Sequence, residues 1–299
     1  MISEGKAYPT AATQHGTDWF HVRRRVSNGV NRTVIYVVLA IGAVIFSMPL
    51  VWMISTSLKP EALVYNIPIV WIPPDLRWEN FVEGWNVLPF PQFYANTIFI
   101  TIVNIVGIVL SSSLVAFGFA RIRFWKRDTI FIILLATMML PSQVTFIPIY
   151  VFWAKLGLVN TFWPLMVPEW LTNAYNVFLL RQFFMSISPE MDEAARIDGA
   201  GFFTIYSRIL MPLAKPALGV IAIQAFAWNW NNYFGPLIYL NDPQKYTISI
   251  GLALFRTQQS QQIPQTMAMT LVALIPVLIV FYIAQAKFIQ GIVITGVKG

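Results

Sequence analysis

The sequence predicts an all-α, polytopic membrane protein with six transmembrane helices. Three observations carry that expectation. Only 11% of the 299 residues are charged while 57% are hydrophobic. A soluble domain carries about 25% charged residues, so this chain has too little polar surface to cover itself in water. The charges also leave long gaps: 26 uncharged residues between Arg32 and Lys59, 26 between Asp128 and Lys155, and 26 between Lys215 and Asp242. Another 30 lie between Arg256 and Lys287, and 37 between Glu83 and Arg121. A sixth stretch, residues 156–180, is interrupted only by Glu169. Crossing the hydrocarbon core as a helix takes roughly 20 residues, so each stretch is long enough. Finally, the apolar runs are continuous, whereas a membrane barrel shows alternating segments of about 10 residues. A helix satisfies its own backbone hydrogen bonds in lipid.

In chain order, residues 1–32 form a polar N-terminal tail and residues 33–57 the first span. The tail holds Arg23-Arg24-Arg25, read as anchoring charge rather than a twin-arginine signal. The apolar run that follows is longer than a signal-peptide core, so it is expected to stay in place as a span. Residues 58–93 make an outer segment rich in Trp and Pro, including Trp71, Trp78 and Trp85, as suits a membrane interface. A core of five further spans occupies residues 94–287, at about 94–120, 129–151, 165–184, 216–240 and 267–287. Within it, residues 185–215 are the longest inside loop. Residues 288–299 form a short tail.

Charge sets the orientation. Residues 1–32, 121–127, 181–215 and 287–298 hold 15 of the 20 Lys and Arg; Lys59, Arg77, Lys155, Lys245 and Arg256 are the other 5. Excess Lys and Arg marks the cytoplasmic side. Both termini are therefore expected in the cytoplasm of a bacterial inner membrane, and the net charge of +7 is topological rather than a nucleic-acid footprint. With no cysteine, thiolate metal sites and cysteine nucleophiles are excluded. The two histidines, His15 and His21, both lie in the tail, so neither a metal centre nor a membrane-embedded active site is expected.

The inside loop reads Ser188-Pro-Glu-Met-Asp-Glu-Ala-Ala-Arg-Ile-Asp-Gly-Ala-Gly. Ser188 is a good N-cap and Pro189 suits a first helical position. Glu190, Asp192 and Glu193 fall at the positive end of the helix dipole, Asp192 is spaced to pair with Arg196, and Gly199 is a C-terminal stop. A helix of about three turns follows, with a small face of Ala194, Ala195 and Gly199. This loop resembles the EAA loop of ATP-binding-cassette import permeases, whose pattern is Glu-Ala-Ala, three residues, Gly, nine residues, Ile, one residue, Leu-Pro. Glu193, Ala194, Ala195, Gly199, Ile209 and Pro212 stand in register; Met211 replaces the usual Leu, a volume-conserving change.

The resemblance implies the transmembrane domain of a type I importer, with this loop as the helix that couples to a cytoplasmic ATPase. The chain has no phosphate-binding G-x-x-x-x-G-K-[ST] sequence. It is thus expected to bind no cofactor itself, ATP and Mg belonging to two partner ATPase subunits. A second permease subunit and an external solute-binding protein complete the expected assembly. Segments at 140–145, 156–161 and 241–243, with the tail at 291–299, are similar to the carbohydrate-import branch and to the shorter permease of maltose-type importers. In those, the principal sugar site lies in the longer partner.

Polar residues within the spans are the candidate pathway. Trp228, Asn229, Asn231 and Asn232 put amides and an aromatic face together in span 5. Sugar contact and interhelical hydrogen bonding both fit them. Asn96, Asn104, Gln143, Asn173, Asn176 and Gln224 read as interhelical links, and Glu169 as an interfacial acid near the outer end of span 4. Gln258, Gln259, Gln261 and Gln262 enrich the outer loop at 241–265, whose family counterpart reaches the binding protein. An ion-coupled secondary transporter or channel is the alternative, but it would show buried ion-coupling charges or matched broken spans, and neither is evident.

Overall fold

The computed structural model describes residues 14–258 and 262–296. Every regular element among them is helical. Helix α1 (Gln14–Ser57) leads to α2 (Glu79–Val87) and α3 (Phe90–Arg121). Then come α4 (Arg127–Ala136), α5 (Ser142–Lys155), α6 (Trp163–Trp170), α7 (Ala174–Ser186) and α8 (Glu190–Ile197). Helix α9 (Phe202–Leu213), containing a π-type turn at Ile205–Leu210, is followed by α10 (Lys215–Trp230), α11 (Phe234–Tyr239), α12 (Ile248–Gln258) and α13 (Ile263–Gly296).

Among the described residues, three helical stretches are long and apolar enough to cross a membrane unbroken: Arg32–Ser57, Phe90–Arg121 and Ile263–Gln285. The count reaches five if two bent pairs each serve as one span. Arg127–Met139 turns by 98° into Gln143–Lys155, and Phe202–Leu213 turns by 76° into Lys215–Trp230. Of the six spans expected, three are unbroken among the described residues and three are interrupted. The third is broken around Pro141, the fourth splits into α6 and α7, and the fifth into α10 and α11. Pro141 explains the first break, because a proline cannot donate within a helix. At the second, Thr172 adopts φ +74°, a conformation costly for a β-branched residue, and Asn173 restarts the helix by accepting from Tyr175 N at 2.8 Å. The expected tails also change. Helix α1 already runs from Gln14, and α13 continues to Gly296.

Helix α3 is the mast around which the rest is assembled. Its buried face repeats at helical spacing through Phe93, Asn96, Thr97, Ile100, Asn104, Gly107, Ile108 and Ser112. Nearly every polar or small residue on it fixes a different element. Asn96 Nδ2 donates to Gln244 O at 2.8 Å and Tyr246 O at 3.0 Å, and Thr97 Oγ1 accepts from Ile248 N at 2.8 Å. Asn104 Nδ2 donates to Leu165 O at 2.9 Å. Gly107 has no room for a Cβ because the Trp170 indole fills the space. Ser112 meets Thr172 at 3.2 Å, and Ser113 meets the Tyr206 hydroxyl at 2.8 Å. In lipid the hydrophobic effect between helices is weak, so close packing and such links hold the bundle.

At the basic end of α3, Phe184, Leu180, Val177 and Leu210 are fully buried and pack α7 and α9 against it. At the opposite end, Phe90, Phe93, Phe255 and Trp230 join α3, α10, α12 and α13 in an aromatic cluster. Helix α12 occupies what the sequence reads as a loop. Its apolar face, Ile248, Gly251 and Phe255, is buried, and Gly251 is required because the Phe93 ring lies where a Cβ would stand. The turns after α5 and α11 are clasped together by Asn160, at φ +63°. Its Oδ1 accepts from Asn241 N at 3.1 Å and Asp242 N at 3.0 Å, and its carbonyl accepts from Lys245 Nζ at 2.9 Å.

Candidate functional site

Two sites stand along the mast, one at its basic end and one beside its middle. The first is the short helix α8 and its connection to α9. Ser188 Oγ accepts from Glu190 N at 3.3 Å, and Pro189 already has helical dihedrals (φ −60°, ψ −24°). At the other end Gly199 adopts φ +85°. Its N–H donates to Arg196 O at 3.0 Å, and Ala200 N donates to Ala195 O at 2.8 Å. This pair of bonds is a Schellman stop, which a left-handed glycine makes possible. The helix therefore starts and ends where its sequence dictates.

What holds α8 in place is not the pairing expected from spacing. Asp192 does not reach Arg196; its Oδ2 lies 2.8 Å from Arg121 Nε, and both side chains are only 8% exposed. Arg121 Nη2 also donates to Ile187 O at 2.9 Å. The last residue of α3 thus grips both the linker entering α8 and its first turn. Arg196 instead lies over the Phe202 ring, 4.8 Å from the centroid, which braces α8 against α9. A neighbouring brace forms at Arg181. It lies 4.2 Å over Phe131, donates to Phe119 O and sits 3.6 Å from Asp128.

The six residues in register with the EAA pattern divide by face. Glu193, Ala194, Gly199 and Pro212 are exposed. Ala195 and Ile209 turn inward, half-buried against the core of α3, α7 and α9. The small face expected of Ala194, Ala195 and Gly199 is therefore not one surface, and Ala195 serves packing. Around the outward residues, among those described, stand the exposed large apolar side chains Met191, Ile197, Phe202 and Phe203, with Ile197 87% and Phe203 75% exposed. A rigid, acidic-tipped helix ringed by exposed apolar groups has the makeup of an interaction surface.

The second site lies where spans three and five break. A cavity of about 920 Å³ opens between α5 and the α10–α11 junction. Trp228, Asn231 and Asn232 line it, with Phe146, Phe234 and Gln143. Helix α10 ends at Trp230, and Asn232 Oδ1 caps the restart by accepting from Gly235 N at 3.1 Å. Interrupted backbone at membrane depth is tolerated where it lines a cavity. Asn229 is a correction: it is buried, accepts from Asn104 Nδ2 at 2.6 Å and donates to Ala225 O at 2.9 Å. It ties α10 to α3 and does not line the cavity. Trp230 is likewise structural, donating from Nε1 to Ala273 O at 3.1 Å.

The remaining candidates fall elsewhere. Gln258 is exposed at the end of α12 and Gln262 half-buried before α13, while Gln259 and Gln261 lie outside the described residues. Glu169 is not near an outer end. Leu165, Trp170 and Thr172 sit beside Asn104, Gly107 and Ser112, so Glu169 stands level with the middle of α3.

Residues 107–294 match the family described as binding-protein-dependent transport system inner membrane component. The chain belongs to that family. It is a permease, a multi-pass inner-membrane component of a transport system rather than an enzyme. It is 32% identical over 268 residues to a putative ABC transporter permease protein of Caldicellulosiruptor sp. strain Rt8B.4, covering 88% of this chain and 96% of that one. It is 31% identical over 260 residues to an arabinooligosaccharides transport system permease of Halalkalibacterium halodurans, covering 86% of this chain and 93% of the other. Among solved structures, a bacterial ABC transporter involved in import of the acidic polysaccharide alginate has a chain that aligns with a TM-score of 0.76. Its identity is 27%, and the alignment covers 88% of this permease and 98% of that chain.

Proposed function

We propose that this permease is half of the membrane channel of an ATP-driven carbohydrate importer, paired with a second permease subunit. Two cytoplasmic ATPase subunits would bind ATP and Mg, and an external binding protein would deliver a sugar or polyol. The observation that carries the reading is the grip of Arg121 on α8. A helix fixed to the mast at its start and braced on α9 at its end, yet exposed on its outward face, transmits a push as a rigid body. Glu193, Ala194, Gly199 and Pro212 form the outward contact with the ATPase, and Ala195 and Ile209 seat that contact on the core.

The substrates named for the relatives, arabinooligosaccharides and alginate, support a carbohydrate cargo. The charge bias of the loops supports placing α8 and both termini in the cytoplasm. The glutamine-rich segment at 258–262 is then the candidate contact with the binding protein. Closure of the ATPases would draw the coupling helices together and open the cavity outward, and hydrolysis would reset it. The test is purification of the permease with its ATPase, followed by addition of sugar-loaded binding protein. Hydrolysis should rise on addition, and Glu193→Lys should abolish the rise. An ATPase that never co-purifies would refute the reading.

A further inference from the structure

We infer that the cavity at the break of span five is a stacking subsite for a neutral sugar, in the subunit whose longer partner is expected to hold the principal site. The inference rests on the importer reading above. The cavity, about 920 Å³, is within the range of small-molecule sites, roughly 300–1,000 Å³. Its described lining is mostly apolar and aromatic, with the amides of Gln143, Asn231 and Asn232 and the hydroxyls of Thr145, Tyr233 and Tyr239, and it contains no Asp, Glu, Lys, Arg or His. Sugar rings present C–H faces and a hydroxyl edge, and the cavity offers a partner for each.

For the ring face, Trp228 is 70% and Phe234 59% exposed, and Phe146 leans on Phe234 at 5.1 Å between centroids. For the hydroxyls, the two asparagines are half spent. Asn231 Nδ2 donates to Ala227 O at 2.8 Å, leaving its Oδ1 acceptor. Asn232 Oδ1 accepts from Gly235 N, leaving its Nδ2 donors. One acceptor and one donor group on adjacent residues match a hydroxyl pair, which both donates and accepts.

The missing charges give the inference its edge. An anionic cargo would lose hydration on entering this chamber without meeting a cation, which costs far more than burying a hydroxyl that finds an amide. The geometry therefore points to neutral mono- or oligosaccharides and away from uronates or phosphorylated polyols.

The test uses the complete importer in nanodiscs, without nucleotide or binding protein, and saturation-transfer NMR. The probes are maltose and cellobiose, with a mannuronate disaccharide and glycerol 3-phosphate alongside. The neutral disaccharides should receive saturation and the two anions should not. In W228A/N231A the neutral signal should fall roughly tenfold, about the worth of one or two hydrogen bonds, whereas W228F should keep most of it. Equal signals from uronate and maltose, no signal from either neutral disaccharide, or a signal undiminished in W228A/N231A would overturn the inference. If that double variant fails to assemble, the wild-type ratio of neutral to anionic signal decides alone. The importer reading has a separate control: wild-type hydrolysis must rise with loaded binding protein. A rise combined with indifference to sugars at the cavity overturns the subsite only.

Discussion

The Arg121 guanidinium and the Asp192 carboxylate meet at 2.8 Å, joining the last residue of α3 to the first turn of α8. Burial makes this pair unforgiving. Breaking a buried ion pair leaves one charge without a partner, which costs about 3 kcal/mol or more, whereas replacing both partners with apolar groups is often neutral. Arg121→Ala should therefore lower stability by about 3 kcal/mol, and Arg121→Met with Asp192→Leu should regain most of it. Denaturation in detergent checks both. A loss in the double variant equal to the sum of the losses in Arg121→Met and Asp192→Leu alone would show that the pair contributes nothing jointly.

A second prediction separates two glycines. Gly199 has open space where a side chain would stand, but a left-handed φ of +85°. Gly118 also has open space and sits within α3. Gly199→Ala should cost about 1 kcal/mol through backbone strain, and Gly118→Ala should gain up to about 1 kcal/mol. Thermal unfolding of the two variants should shift in opposite directions.

Steric crowding supplies the third. Gly107→Ala would place a methyl in the Trp170 indole, and Gly251→Ala another in the Phe93 ring. Each should cost about 1–3 kcal/mol, seen as reduced yield of folded permease. Pairing Gly107→Ala with Trp170→Phe should restore part of the loss if the overlap is its cause.

Asn229 and Asn231 lie two residues apart with different duties. Asn229→Leu removes a buried link to Asn104 and should cost about 0.6–2 kcal/mol while leaving uptake per assembled complex near normal. Asn231→Ala should assemble normally and lower uptake several-fold. Reversed phenotypes would exchange the two roles.

Much of this was legible in the residues. Long charge-free runs foretold a helical membrane protein, and the Ser188-Pro189 start and Gly199 stop foretold α8, because caps are local and their chemistry is written at fixed offsets. The breaks were only half visible. Pro141 and the run Asn231-Asn232 mark two of them, but nothing in Leu171-Thr172-Asn173 announces a β-branched residue at positive φ. That conformation is held by tertiary contacts, the Ser112–Thr172 bond and the seat of Trp170 on Gly107. The partner of Asp192 was out of reach for the same reason. Arg196 is near in sequence, whereas Arg121 is 71 residues away and arrives only through the packing of α3 against α7. Helix α12 is different. Ile248, Gly251, Leu252 and Phe255 follow the spacing of a buried helical face, so its signal was present among the glutamines that suggested a loop.

The lever role of α8 is tested most directly by a photo-crosslinker at Ala194, which points outward where Ala195 does not. In the assembled importer, irradiation should join this position to the ATPase subunit, with a yield that changes between the ATP-bound and nucleotide-free states. An adduct that never contains the ATPase, in either state, would contradict the account.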